Sequence, residues 1–169
     1  MATSPLRSLA LAGIVAASAL ALSGCSVIQS IFPAQAERDA ETQEVKTEGE
    51  ADVFTMKVGD CLDNQEADEV ETIPAVPCDK PHDLEAYYSF DLEDADVYPG
   101  ETTVTDLADQ GCYEAFPDFI GISYEESTYD FTYFFPTQES WTNGGDREIM
   151  CLIGSADEKT TGSLAGVAL

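Results

Sequence analysis

The side chains in this sequence that are best suited to covalent or proton-transfer chemistry are five cysteines and one histidine, His82. Cys25 closes the stretch Leu22-Ser23-Gly24-Cys25 and follows an apolar run over residues 9–22. This pattern is typical of a bacterial lipoprotein signal, in which small residues admit a peptidase and the cysteine thiol carries a diacylglycerol. The sequence therefore predicts a signal peptide at residues 1–24 and a lipidated mature chain that starts at Cys25.

The apolar run is too short to favour a permanent membrane span. It covers about 14 residues, whereas a transmembrane helix needs about 20, and the charge before it is a single Arg7. A retained apolar helix is therefore the weaker interpretation. Acyl chains on Cys25 would hold the protein on a bilayer instead, since each buried CH₂ contributes about 0.8 kcal/mol. We expect a protein attached to the cell membrane through its lipid anchor and exposed on the extracytoplasmic face.

The other four cysteines form an even set, which in an oxidising compartment predicts two disulfides. They are Cys61, Cys78, Cys112 and Cys151. Four cysteines allow three pairings, and the sequence alone does not choose among them. We favour Cys61 with Cys78 and Cys112 with Cys151, because each proposed partner lies in a neighbouring predicted element. The competing interpretation, a zinc site built from Cys78, His82 and the other thiols, is disfavoured because no Cys-x-x-Cys spacing is present.

His82 is the evident candidate for a general base. It is flanked by Pro81 and Asp83 and could act on a Ser or Thr hydroxyl with help from a carboxylate. However, the sequence contains no Gly-x-Ser-x-Gly turn and no metalloprotease motif, and its many carboxylates make acidic pairs uninformative. We therefore interpret His82 as a structural or surface histidine in a turn. The sequence predicts a protein that is not an enzyme and that has no cofactor and no metal site.

Three further residues are candidates for binding. Trp141, Arg147 and Tyr133 would line an aromatic groove for a peptide or a cell-wall fragment, since such residues recur at binding hot spots. His82 is a fourth possible binding residue. The alternative is that Trp141 is a buried aromatic plug and that Arg147 forms an ion pair with one of the many carboxylates.

The charge of the chain excludes one class of partner. The formal net charge is −26, and from residue 53 onward 26 acidic residues face only four basic ones. Such a surface repels nucleic acid and attracts cations or a basic partner. Acidic stretches at residues 63–71 and 91–96 are the candidate cation-binding loops, although their spacing does not match an EF-hand.

The elements that must position these residues follow from hydrophobic periodicity. Residues 25–52 are polar and predict a lipidated flexible tether, with a helical spacer as the alternative, and residues 53–169 predict one globular domain. Alternation from residue 52 predicts a first strand that ends at the Gly59-Asp60 turn before Cys61. Further strands are predicted at 70–76, 83–92, 128–135 and 147–153, and a period of three to four predicts a helix at 102–116 that Pro117 ends. Pro74 and Pro77 should confine the second strand to an edge or a strand end.

These elements define the fold class. The order of strands and helix predicts a small α+β domain, in which one principal helix packs on a mostly antiparallel sheet and two disulfides join the elements.

A set of short motifs resembles the septum formation-related domain of actinobacterial surface proteins over about residues 56–166. The motifs, in chain order, are Gly59-Asp60-Cys61, Val76-Pro77-Cys78, Pro81-His82, Tyr98-Pro99-Gly100, Cys112, Pro136, Trp141, Gly145-Asp146-Arg147, Cys151 and Gly162-Ser163-Leu164. The resemblance implies a secreted or membrane-tethered domain linked to the division septum, and it implies no known catalytic activity.

Two functional hypotheses result. The first is a non-enzymatic envelope lipoprotein that docks an envelope or division protein or a cell-wall polymer. The second is a surface receptor lipoprotein that binds a small ligand or a cation through its acidic loops.

Overall fold

The computed structural model describes residues 34–65 and 71–169, so the predicted signal peptide and the lipidation of Cys25 lie outside the described residues. Across those two ranges, no helix combines the length and the hydropathy that a membrane crossing requires. The described chain contains eight strands and one α-helix. They are β1 Glu37–Arg38, β2 Val45–Thr47, β3 Gly49–Asp52, β4 Cys61–Leu62, β5 Thr72–Val76, β6 Leu84–Asp91, α1 Glu101–Ile120, β7 Asp130–Phe134 and β8 Glu148–Gly154.

Six of the strands form one antiparallel sheet with the order β3-β5-β4-β6-β8-β7, while β1 and β2 pair with each other. The single helix packs on one face of this sheet, against β6, β7 and β8. This arrangement confirms the predicted α+β class.

The main core lies between α1 and the sheet. The helix buries one residue in four along a single stripe, consisting of Val104, Ala108, Cys112, Phe116 and Ile120. These side chains meet Ile149, Cys151 and Ile153, which alternate along β8 and share its helix-facing side. A smaller cluster covers the opposite face of the sheet and includes Leu62, Ala86 and Leu152. Because both faces are covered, β8 is buried along almost its whole length.

Both predicted disulfides are present and the favoured pairing is confirmed. Cys61 in β4 joins Cys78, which follows β5, and Cys112 in α1 joins Cys151 in β8. The first bond links neighbouring antiparallel strands, since Cys61 lies opposite Val76. The second bond fixes the helix to β8, which lies between β6 and β7 in the sheet.

The domain begins earlier than the predicted boundary at residue 53. Residues 35 and 50 form a bridge, and β3 pairs with β5 inside the main sheet. Arg38 also reaches into the fold, where its two terminal nitrogens donate to the Asp60 carboxylate at 2.6 and 2.7 Å. The tether prediction is therefore wrong for residues 35–52. Their polar composition conceals short strands that are held by pairing, by this ion pair and by a small apolar cluster of Val45, Ala51 and Ala75.

The strand predicted between residue 52 and the Gly59-Asp60 turn is not formed. Asp52 is the last residue of β3, and Val53–Thr55 form a 3₁₀ turn capped by the Asp52 carboxylate, which accepts from the Phe54 N–H at 2.9 Å. The next strand, Cys61–Leu62, begins only after the turn.

The prediction placed Pro74 and Pro77 at an edge or a strand end. Pro77 does follow the last residue of β5, but Pro74 lies inside β5, which is paired on both sides by β3 and β4, so the prediction is wrong for Pro74. Pro74 is tolerated there because β4 pairs only with Ala75 and Val76. The backbone N–H that proline lacks is therefore not needed for this pairing.

The helix passes through the proline that was expected to end it. Pro117 lies inside α1, which continues to Ile120 and stops at Gly121. Gly121 has φ of 95° and donates its N–H to the Pro117 carbonyl at 3.0 Å, a left-handed C-terminal cap that favours glycine. An interior proline costs about 3 kcal/mol, and burying a side chain such as Ile120 returns a similar amount. The packing of the last helical turn therefore offsets the preference of Pro117 to end the helix.

The two disulfides should differ in their contribution to stability. They close loops with sequence separations of 17 and 39 residues, for which chain entropy gives about 3 and about 4 kcal/mol. We expect the Cys112→Ser/Cys151→Ser double variant to lose more unfolding free energy in urea than the Cys61→Ser/Cys78→Ser variant. Equal losses for the two variants, or a larger loss for Cys61→Ser/Cys78→Ser, would contradict the larger stabilising role of the Cys112–Cys151 bond.

Candidate functional site

Trp141 and Arg147 stack on each other beside the loop that contains the acidic stretch at residues 91–96. The Arg147 guanidinium carbon lies 3.6 Å from the Trp141 ring centroid, and the tryptophan is only 2 % exposed. Arg147 donates to the Asp94 carboxylate at 3.1 Å and to the Ala95 carbonyl at 3.1 Å. It also donates to the carbonyls of Trp141 and Asp146. The Trp141 indole N–H donates to the same Ala95 carbonyl at 3.0 Å.

This geometry assigns the pair a structural role. The planar guanidinium uses its donors within the chain and holds the Ala95 segment against the turn that carries Trp141. Tyr133 has different partners. It lies on β7 opposite Cys151, and burial, together with the neighbouring Asp109 carboxylate on α1, raises the pKa of Tyr133 to about 12. The structure thus brings Trp141 and Arg147 together but gives Tyr133 a separate contact.

Both acidic stretches supply carboxylates to ion pairs within the chain. Asp94 pairs with Arg147 at 3.0 Å, and Asp63 pairs with Lys159 at 2.6 Å. Lys159 also lies 3.6 Å from Asp83. Residues 66–70 of the first stretch lie outside the described residues. The proposed cation ligands are therefore partly engaged by the fold.

His82 is buried and holds the C-terminal segment. Its backbone exchanges two hydrogen bonds with Thr160, at 3.0 and 2.9 Å. The ring nitrogen Nδ1 lies 2.8 Å from the Lys80 carbonyl, and Nε2 lies 3.2 Å from the Thr160 hydroxyl. A carbonyl can only accept, so Nδ1 carries a proton and donates it to Lys80, while Nε2 has the Thr160 hydroxyl as its partner. Both nitrogens are occupied, so His82 is a structural histidine, inside the fold rather than on its surface.

Glu85 makes a second buried contact with the same segment. Its carboxylate accepts from the Ser163 hydroxyl at 2.6 Å and from the Leu164 N–H at 2.7 Å. Cys61, His82 and Glu85 have potential metal-ligating atoms within 4.8 Å of one another. However, the Cys61 sulfur is bonded to Cys78 and offers no thiolate, which is the form that binds zinc. The three side chains hold the fold together rather than forming the alternative zinc site.

An open groove lies between α1 and β6, and we call it the α1–β6 groove. Its volume is about 700 Å³. Tyr88 and Leu107 are exposed there at 41 and 42 %, and Tyr88 stacks on Phe90 with 5.7 Å between ring centroids. The lining residues are Tyr87, Tyr88, Phe90, Leu107, Gln110, Gly111, Glu114, Ala115, Asp118 and Phe119. This groove was not predicted from the sequence.

A β-bulge in β6 turns Tyr88 into the groove. Ala86 lies opposite Leu152, whereas Tyr88 lies opposite Cys151, so one extra residue is inserted between them. Directly opposed residues share a face, which puts Tyr88 on the helix side with Cys151 and Ala86 on the other side with Leu152. Strict alternation along the strand predicted at 83–92 would put Leu84, Ala86, Tyr88 and Phe90 on one face. That expectation is wrong, because the bulge shifts the period by one.

Glu148 marks an acidic corner at the start of β8. Burial is the main cause that raises its pKa above the ordinary 4.5, and repulsion from Asp91 and Asp146 raises it further. A hydrogen bond from Ser89 opposes this shift. The folded chain therefore holds this proton more tightly than the unfolded chain does.

The fold and the groove define the class of protein, a small α+β domain held by two disulfides with an open aromatic groove beside its helix. Within that class, the chain belongs to the septum formation family, whose model matches residues 25–161. The match confirms the resemblance inferred from the cysteines and the Trp141 to Arg147 motif, and it begins earlier, at Cys25. No curated protein and no solved structure matches the chain.

Replacing Arg147 tests the stacked pair. Arg147→Ala removes the cation–π contact and leaves carbonyls without donors, so we expect a loss of about 2–3 kcal/mol of unfolding free energy. Arg147→Lys should recover only part of this loss, because an ammonium lacks the planar fork. Lys159→Ala, which breaks a more exposed ion pair, should cost less than about 1 kcal/mol. An unchanged melting temperature for Arg147→Ala would contradict the structural role.

The raised pKa of Glu148 predicts a pH dependence. Its stabilising effect as a neutral acid is complete below the unfolded value of 4.5 and is lost as the pH rises through the higher folded value. Glu148→Gln should therefore be more stable than the parent chain in urea at pH 7, with an advantage that disappears at pH 3.5. Glu158→Gln, an exposed control, should show no such crossover. A Glu148→Gln variant that is less stable at pH 7 would refute this assignment.

Proposed function

We propose that this protein is an extracytoplasmic lipoprotein, anchored to the cell membrane through Cys25, whose domain binds a partner in septum formation or a related envelope process. The family match carries this proposal. Its first residue is Cys25, the residue at which the signal pattern places the start of the mature chain. Two independent features, the family boundary and the lipidation pattern, therefore support the same starting point.

The two disulfides support export from the cytoplasm. Cys112 and Cys151 are completely buried, and their bond joins the helix to the sheet. Such structural disulfides form and persist in oxidising compartments and are rare where thiols are kept reduced. The buried disulfide therefore supports a location on the extracytoplasmic side of the membrane, where the proposal places this protein.

A binding role is better supported than a catalytic one. His82 has both ring nitrogens occupied by Lys80 and Thr160, and four of the five cysteines are in disulfides. In the α1–β6 groove, by contrast, aromatic and aliphatic side chains leave part of their surface exposed to solvent, where a partner could cover it. The partner would be an envelope or division protein or a cell-wall polymer, and the net charge of −26 opposes nucleic acid. The ion pairs of Asp94 and Asp63 favour this function over a cation receptor.

Replacing Cys25 tests the anchor. In the Cys25→Ser variant no thiol is available for the lipid, so we expect the protein to leave the washed membrane fraction and its mass to lack the acyl chains. The parent chain should carry an acylated residue 25 by mass spectrometry and should concentrate at division septa by fluorescence. Ser26→Ala, one residue further on, is the matched control and should behave like the parent.

Two results would overturn the proposal. An unacylated residue 25 in the native product would remove the anchor. A uniform distribution along the envelope, with acylation intact, would remove the link to septum formation while leaving the lipoprotein assignment in place.

A further inference from the structure

We propose that the α1–β6 groove docks a basic segment of a partner protein, in which an aromatic or aliphatic side chain is flanked by Lys or Arg. This inference rests on the proposed binding function and names the chemistry of its partner.

The floor of the groove is apolar and partly open. Tyr88 and Phe90 form a stacked pair, and Leu107 stands opposite them on the helix. Tyr88 and Leu107 each leave about two-fifths of their surface exposed. Covering a large apolar side chain contributes about 1.5–3 kcal/mol, and aromatic side chains in such depressions are typical binding hot spots. An apolar side chain of the partner would complete this cluster.

The walls of the groove are fixed in advance. Gly111 brings the helix backbone so close to β6 that a Cβ at this position would overlap the Phe90 ring. The Tyr87 hydroxyl donates to the Cys112 carbonyl at 2.6 Å, which ties strand and helix together at the same level. The Cys112–Cys151 disulfide holds that helical turn against the sheet. Because the site is already formed, binding has little ordering entropy to overcome.

The charge of the rim selects the flanking residues. Glu114 and Asp118 are exposed along one wall, and no lining residue in the described chain is Lys or Arg. Two of the basic residues are paired elsewhere, Arg147 with Asp94 and Lys159 with Asp63. The groove is therefore anionic within a domain that is itself strongly acidic. Complementary charge steers a cationic segment to this site, whereas an anionic wall polymer would be repelled.

Photocrosslinking from the groove tests the proposal in the full-length lipoprotein in dividing cells. A photoreactive amino acid replaces Leu107, and the same amino acid at Val97, which is 76 % exposed and lies outside the groove, is the control. We expect adducts from position 107, absent from position 97, that mass spectrometry maps to one protein segment with Lys or Arg beside an apolar side chain.

Charge reversal tests whether the rim is responsible. Glu114→Lys with Asp118→Lys should reduce the adduct yield from position 107 by about tenfold or more. Asp157→Lys with Glu158→Lys makes the same change in net charge at exposed positions that do not line the groove, and it should leave the yield unchanged. Glu114→Gln with Asp118→Asn, which removes charge without adding any, should give an intermediate loss and guards against misfolding of the lysine variant.

Several outcomes would overturn the inference. Adducts to an acidic segment, to a glycan, to a lipid or to another copy of this chain would each assign the groove a different occupant. Equal losses for both lysine variants would show that net charge acts rather than the rim. If membrane attachment and septal location persist in these cells while position 107 gives no adduct, the groove inference fails and the proposed function stands. If attachment or location is absent, the proposed function fails instead.

Discussion

The contact between α1 and β8, fixed at its centre by the Cys112–Cys151 bond, is the interaction on which the rest of the domain depends. Both cysteines are completely buried, and the helix stripe around Cys112 covers the inward face of the strand. Because β8 lies between β6 and β7, anchoring the helix to it also sets the helix over both neighbours. The α1–β6 groove is one margin of this contact, so its walls are as rigid as the core behind them.

Hydrogen bonds from buried polar side chains attach the ends of the described chain to the sheet. His82 and Glu85 are buried and bind successive parts of the C-terminal segment, and Asp60 binds Arg38 near the start of the described chain. Burying such groups without partners is costly, so each contributes stability only because its hydrogen bonds are satisfied. Residues that resemble catalytic groups in the sequence thus serve to attach peripheral segments to the sheet.

The sequence predicted the parts of the fold that depend on repetition along the chain. Period-two and period-four patterns located the last strand and the helix stripe, and the neighbouring elements indicated the pairing of Cys112 with Cys151. The errors have local physical causes. One inserted residue before Tyr88 reverses the faces of β6, and packing at Ile120 overrides Pro117. The strands before residue 53 are short and bury only isolated apolar side chains such as Val45 and Ala51, too few to form a periodic pattern. The groove was missed because it depends on the bulge before Tyr88 and on the close approach of Gly111 to Phe90, which the periodicity of β6 and α1 does not show.

Complete burial of Cys112 and Cys151 has a chemical consequence for the stability of their bond toward reduction. Thiol–disulfide exchange requires an external thiolate to approach one sulfur along the bond axis. While the helix covers the strand, small reductants have no route to either atom, whereas Cys78 in the other bond is partly accessible. The Cys112–Cys151 bond can therefore be cleaved only after the domain has opened. The lifetime of this bond in the presence of a reductant thus reports how often the domain opens.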